Sequence, residues 1–128
     1  MRKKLLFWVP VLAVLATPVK APAQEPFGVI NAEPNPCRIH HGEEMCEVHV
    51  TWSTQNVARA KVFVKSEGRD ELREREFGAS LVCEGHRCRA PWIKPETRYV
   101  FKLFDFTRGD RGRELASVTV TAEREHER

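Results

Sequence analysis

The chain has 128 residues, with 21 basic and 18 acidic side chains and a formal net charge of +3. Four of the basic residues but none of the acidic ones lie in residues 1–23, so residues 24–128 carry 17 basic against 18 acidic side chains. This balance excludes a strongly basic protein that binds nucleic acid through its charge, and the length suits one domain with a modest core.

The N-terminus has the pattern of a secretory signal peptide. Basic residues at positions 2–4 precede an apolar run over residues 5–16, and Ala21-Pro22-Ala23 offers small residues for cleavage. The run is too short for a membrane-spanning helix, which needs about 20 apolar residues, and Pro10 interrupts it. We therefore expect residues 1–23 to be removed and the remainder to be secreted or periplasmic, with no membrane segment.

The four cysteines form two close pairs in the sequence, Cys37 with Cys46 and Cys83 with Cys88. Four cysteines allow three connectivities, which the sequence alone does not distinguish. Local pairing is favoured because each pair brackets a turn-like stretch that contains a glycine. Each such short loop would stabilise the fold by about 2–3 kcal/mol in the chain-entropy model.

Metal binding is the alternative use of these cysteines. Cys37, His40, His41, Cys46 and His49 lie within 13 positions, a spacing that can build a zinc site. Export favours disulfides, and the sequence has no C-x-x-C motif. We therefore expect two disulfides and no bound metal or other cofactor.

Short segments with period-two alternation predict strands along most of residues 24–122. The clearest is residues 46–53, in which Cys46, Val48, Val50 and Trp52 share one side. Further strands are expected over residues 28–32, 58–65 and 115–122, with a charged edge strand or loop over residues 71–76. Residues 123–128 are expected to form a charged tail.

The stretch Ile93-x-Pro95-x-Thr97-x-Tyr99-x-Phe101 predicts a tight corner that leads into a strand. Tyr99, Phe101 and Leu103 alternate with polar or smaller residues, so one face of this strand is expected in the core. A tyrosine at the start of such a strand, with its hydroxyl bonded back to the preceding turn, is known as a tyrosine corner.

This corner, together with the strand that ends at Trp52, resembles fibronectin type III and related bacterial immunoglobulin-like domains. Segments around Pro34–Cys37, Pro91–Ile93 and Leu115–Val120 resemble the small disulfide-bearing modules of secreted bacterial proteins. The resemblance implies an all-β, immunoglobulin-like (fibronectin type III-like) antiparallel β-sandwich of about seven strands over residues 24–122. A fold of this kind does not itself specify a function.

A binding or structural role is expected, because no nucleophile, phosphate-loop or metalloprotease motif is present. The outward face of the strand over residues 58–65 and its neighbour would combine aromatic and basic residues, and such a face suits an unknown protein or polysaccharide partner. The predicted contact residues are Lys61, Phe63, Lys65, Lys102 and Phe104. Trp92 is either a further contact or a plug beneath the corner.

The tripeptide Arg108-Gly109-Asp110 offers an alternative role in cell adhesion. In the fibronectin type III topology it falls in the loop between the last two strands, where an integrin-binding Arg-Gly-Asp is presented. Arg-Gly and Gly-Asp are also ordinary turn-forming dipeptides, so the same residues suit a simple hairpin turn.

Overall fold

The computed structural model of the chain describes residues 24–68 and 72–125. The predicted signal peptide and the last three residues of the predicted tail lie outside the described residues. Within the described ranges the chain is all-β, with one short 3-10 turn at Gly85–Cys88 and no α-helix. Nor does this part of the chain contain a helix long and apolar enough to span a membrane.

Six of the ten strands in the described residues agree with the predicted segments to within a few residues, and four short strands, β2, β6, β7 and β10, are additional. The strands are β1 (Phe27–Glu33), β2 (Cys37–Ile39), β3 (Cys46–Gln55), β4 (Ala60–Gly68), β5 (Leu72–Gly78), β6 (Val82–Cys83), β7 (Arg89–Ile93), β8 (Thr97–Asp105), β9 (Glu114–Val120) and β10 (Ala122–Arg124).

Two antiparallel sheets enclose one core, as in a β-sandwich. In the first sheet β3 is central, with β1 on one side and both β6 and β7 on the other. The second sheet has the order β5-β4-β8-β9, so the charged strand β5 lies at an edge as predicted. A separate parallel pair joins β10 to β2.

The core follows the predicted alternation. Val48, Val50 and Trp52 of β3 point into the core from the first sheet. The inward residues of β4 and β8 pack into the same core from the second sheet. Those residues are Val62, Val64, Tyr99, Phe101 and Leu103, all buried. The intervening residues of β3 are only partly buried, which is the pattern of a sheet with one face on the core and one toward solvent.

The corner before β8 has the predicted geometry. The Tyr99 hydroxyl accepts a hydrogen bond from the Lys94 backbone N–H at 3.0 Å and donates one to the Trp92 carbonyl at 3.4 Å. The Thr97 hydroxyl closes the same turn by donating to the Pro95 carbonyl at 3.2 Å. Tyr99 is buried, so its hydroxyl satisfies two backbone groups that would otherwise lose contact with water.

Both predicted disulfides are present, Cys37–Cys46 and Cys83–Cys88. The first joins β2 to the start of β3, and the second closes the 3-10 turn between β6 and β7. Because every cysteine sulfur is bonded to another sulfur, the alternative in which Cys37 and Cys46 coordinate zinc as thiolates does not correspond to the structure.

The last strand differs from the expected free tail. Glu123 and Arg124 belong to β10, which runs parallel to β2, and the Glu125 N–H donates to the Ile39 carbonyl at 2.9 Å. The side chains of Glu123 and Arg124 are exposed, and their charge suggested a tail. Strand pairing uses the backbone, however, so an exposed charged segment can still pair.

We expect Tyr99→Phe to lower the free energy of unfolding by about 1–3 kcal/mol, because it removes the partner of two backbone groups in a buried corner. Urea unfolding followed by tryptophan fluorescence measures the change. Ser117→Ala, which removes an exposed hydroxyl on β9, is the matched control. An equal effect of both variants would contradict the structural role of the corner.

Candidate functional site

The predicted aromatic face is assembled on the outer side of the second sheet. The Phe63 ring lies 5.9 Å from Phe104 and 5.8 Å from Phe106, measured between ring centroids. Phe104 and Phe106 are only 7% and 8% exposed, and Phe63 is partly buried. The three rings therefore pack mainly against each other and their immediate neighbours.

Basic side chains cover these rings. The guanidinium carbon of Arg111 lies 4.4 Å from the centroids of both Phe63 and Phe104, and the Arg111 Nη2 atom is 2.6 Å from a Glu74 oxygen. Lys61 lies 5.0 Å above the Phe106 ring. The face therefore presents charged groups to a partner in place of open aromatic rings.

Two of the three lysines predicted as contacts, Lys61 and Lys102, are also paired across strands. Lys61 Nζ is 2.9 Å from Glu76 on β5, and Lys102 Nζ is 3.6 Å from Glu114 on β9. These ion pairs are partly exposed and contribute little to stability. They do, however, neutralise the positive charge that the lysines would bring to the predicted aromatic face. That this face contacts a partner stays a prediction.

Trp92 lies beneath the corner. The sequence predicted either a contact with a partner or a plug under the corner for this residue. Its ring is 5.5 Å from Tyr99 and 6.1 Å from Phe101, and the Arg75 guanidinium covers it at 4.8 Å. Trp92 is partly buried. This packing favours the plug, since most of the ring contacts core residues.

The tripeptide Arg108-Gly109-Asp110 lies in the loop between β8 and β9, and all three residues are exposed. Gly109 has a φ of 90°, and its N–H donates to the Phe106 carbonyl at 2.9 Å, which defines a turn. At the base of the loop an Asp105 carboxylate oxygen accepts a hydrogen bond from the Thr107 N–H at 2.8 Å. Within the described part of the chain neither Arg108 nor Asp110 has an ion pair.

A group of exposed apolar residues on the other sheet was not predicted. Val29, Ser53 and Val82 are directly opposite one another across β1, β3 and β6, and Phe27 lies two residues before Val29 on the same face. Phe27, Val29 and Val82 are 55%, 49% and 51% exposed. We call these three residues and Ser53 the β1–β3–β6 face.

No clear pattern in the sequence marks this face, because β1 carries apolar residues on both of its sides. Gly28 and Ile30 alternate with Phe27 and Val29. Gly28 faces inward, since a Cβ atom there would lie 2.7 Å from a Leu103 methyl group. Single exposed apolar residues are common, whereas several exposed on one sheet face can form an interaction surface.

One carboxylate outside these faces has a shifted pKa. A hydrogen bond from the Arg98 guanidinium, 2.9 Å long, and the charge of Arg98 hold the pKa of Glu67 below its ordinary value. The pair stabilises the fold at neutral pH, and this contribution is lost as the pH falls through the lowered pKa. Among the described residues, no three His, Cys, Asp or Glu side chains are grouped so that they could hold a metal ion.

Comparison with known proteins finds no family model, no curated protein and no solved structure that matches this chain.

We expect Arg111→Ala to lower the free energy of unfolding by about 1 kcal/mol, because it uncovers two rings and removes a cation–π contact. Chemical denaturation measures the change. Arg113→Ala, an exposed arginine two residues further along the same loop, is the matched control. If the two variants behave alike, Arg111 does not hold the loop against the sheet.

Proposed function

We propose that the chain is an exported, non-enzymatic module of the immunoglobulin-like, fibronectin type III-like kind, and that it acts by binding a partner protein. The strand order supports the class: β1, β3 and β7 face β5, β4, β8 and β9, with a tyrosine corner at the start of β8. The residues of this corner also carry the resemblance to fibronectin type III domains in the sequence.

Export is supported by two independent features. Residues 1–23 have the basic, apolar and small-residue pattern of a signal peptide, and the chain has two disulfides. Disulfides persist mainly in oxidising compartments, such as the periplasm and the cell exterior.

The observation that carries the binding role is the β1–β3–β6 face. Phe27, Val29 and Val82 form an apolar surface that remains half exposed in the folded chain. The surface runs across three neighbouring strands of one sheet, which suits a protein partner better than a small molecule. A polysaccharide partner is less favoured, because the rings of Phe63 and Phe104 are covered by Arg111.

A photo-reactive amino acid in place of Val29 tests this role in the cell that makes the protein. We expect a discrete adduct with a partner protein, identified by peptide sequencing. The matched control places the same group at Thr119, which is exposed on the outer face of the other sheet. Val82→Asp should reduce the Val29 adduct about tenfold, because a charge would then have to be desolvated in the interface.

The proposal fails if Val29 yields no protein adduct, or if Val29 and Thr119 yield the same adducts in equal amount. The intact mass of the purified protein tests the export part separately. A chain that starts at Gln24 and is four hydrogens lighter than its reduced form would agree with signal cleavage and two disulfides.

Cell adhesion is a second candidate function, and one observation favours it. Arg108 and Asp110 are exposed on either side of a glycine with positive φ, and within the described residues neither side chain has an ion-pair partner. Both charges are therefore available to a receptor that recognises this tripeptide.

If the tripeptide mediates adhesion, Asp110→Glu should reduce attachment of integrin-bearing cells to a surface coated with the protein by about tenfold, since the carboxylate would be displaced by one methylene. Cell counting after washing measures attachment. Glu123→Asp, a similar change at an exposed residue of β10, is the control. Unchanged attachment by Asp110→Glu would exclude the adhesion role.

A further inference from the structure

A small groove lies at the end of the sandwich where the loop between β8 and β9 meets the start of β4. Its floor includes the side chains of Phe106 and Ala60, which are 8% and 4% exposed. One wall is the segment Ala79–Leu81 between β5 and β6, and Leu81 remains 40% exposed at its rim. The interior is therefore mainly apolar.

Hydrogen bonds fix both walls of the groove. The Trp52 indole N–H donates to the Ser80 carbonyl at 2.9 Å, and the Thr54 hydroxyl donates to the Leu81 carbonyl at 2.9 Å. On the opposite side the Phe106 N–H donates to the Arg59 carbonyl at 2.8 Å. A wall held in this way is preorganised, so a ligand would not have to order it.

The charged residues at the groove are both basic, Arg59 and Lys61, and no acidic residue is among the described residues that line it. Lys61 is already paired with Glu76. The Arg59 side chain is exposed and has no hydrogen bond or ion pair within the described part of the chain. Arg59 is thus the cation left to receive an incoming carboxylate.

The size of the groove, about 220 Å³, decides between classes of ligand. Sites for drug-sized molecules occupy about 300–1,000 Å³, whereas this groove suits a single side chain. We propose that it accepts one apolar side chain from an exposed acidic segment of a partner protein, with a neighbouring carboxylate of that segment bound by Arg59.

This site is separate from the β1–β3–β6 face, although Leu81 and Val82 are adjacent in the chain. Leu81 lines the groove, while Val82 points to the outer side of the first sheet. The groove also borders Gly109, so an occupant would contact the turn that carries Arg108 and Asp110.

Fluorescence anisotropy with short labelled peptides tests the groove on the folded, disulfide-bonded protein. A first set of peptides has a central Leu, Met or Phe between Asp and Glu residues. A second set replaces the acids by Lys, and a third replaces the central residue by Ser. We expect the best member of the first set to bind at least about tenfold more tightly than its counterparts in the other two sets.

Variants then locate the binding. Arg59→Gln should weaken binding of that peptide about tenfold and reduce its dependence on salt, while Arg73→Gln, an exposed arginine on β5, should leave it unchanged. Ala79→Trp should block the groove. If that variant does not fold, as judged by thermal unfolding, the comparison of Arg59→Gln with Arg73→Gln still tests the inference.

Three results would overturn the inference. The first is that no peptide of the first set binds more tightly than its counterparts. The second is that Arg59→Gln has no more effect than Arg73→Gln. The third is that Val29→Ser, which is expected to leave peptide binding unchanged, abolishes it. That third result would place the peptide on the β1–β3–β6 face and would support the proposed function, but it would contradict binding in the groove.

Discussion

The burial of β8 between β4 and β9 is the constraint on which the rest of the structure depends. Tyr99, Phe101 and Leu103 fill the centre of the core from this strand, and the Tyr99 hydroxyl fixes the turn before it. Because β8 is held at its start and paired along both sides, its far end is fixed as well. That end carries Phe104 and Phe106, and hence the groove and the loop that follows.

Much of the fold could be predicted because its signals are local. Alternation over a few residues fixes which side of β3 and β4 is buried, and Pro95 and Tyr99 mark the corner within a short stretch. Both disulfides close short loops between cysteines that are neighbours in the sequence, so local pairing was the simplest prediction. None of these inferences needs a contact between distant segments.

The sites were harder to predict, because exposure depends on distant contacts. Whether Phe63 is open to a partner depends on Arg111, which reaches it only after the β8–β9 loop folds over the sheet. The exposure of Phe27 depends on which side of β1 meets Leu103, and both sides are apolar. The groove combines three segments that no sequence motif connects. Alternation predicts which residues share a face, but not what covers it.

The parallel pairing of β10 with β2 has a mechanical consequence. The chain enters β2 at Cys37 and leaves β10 after Arg124, and these positions lie at opposite ends of the pair. Tension that pulls on Arg124 while β2 is held at Cys37 would therefore move the two strands past each other in shear, so that their hydrogen bonds share the load instead of breaking one at a time. The Cys37–Cys46 bond anchors β2 covalently to β3, and the force would pass from this short clamp directly into the first sheet.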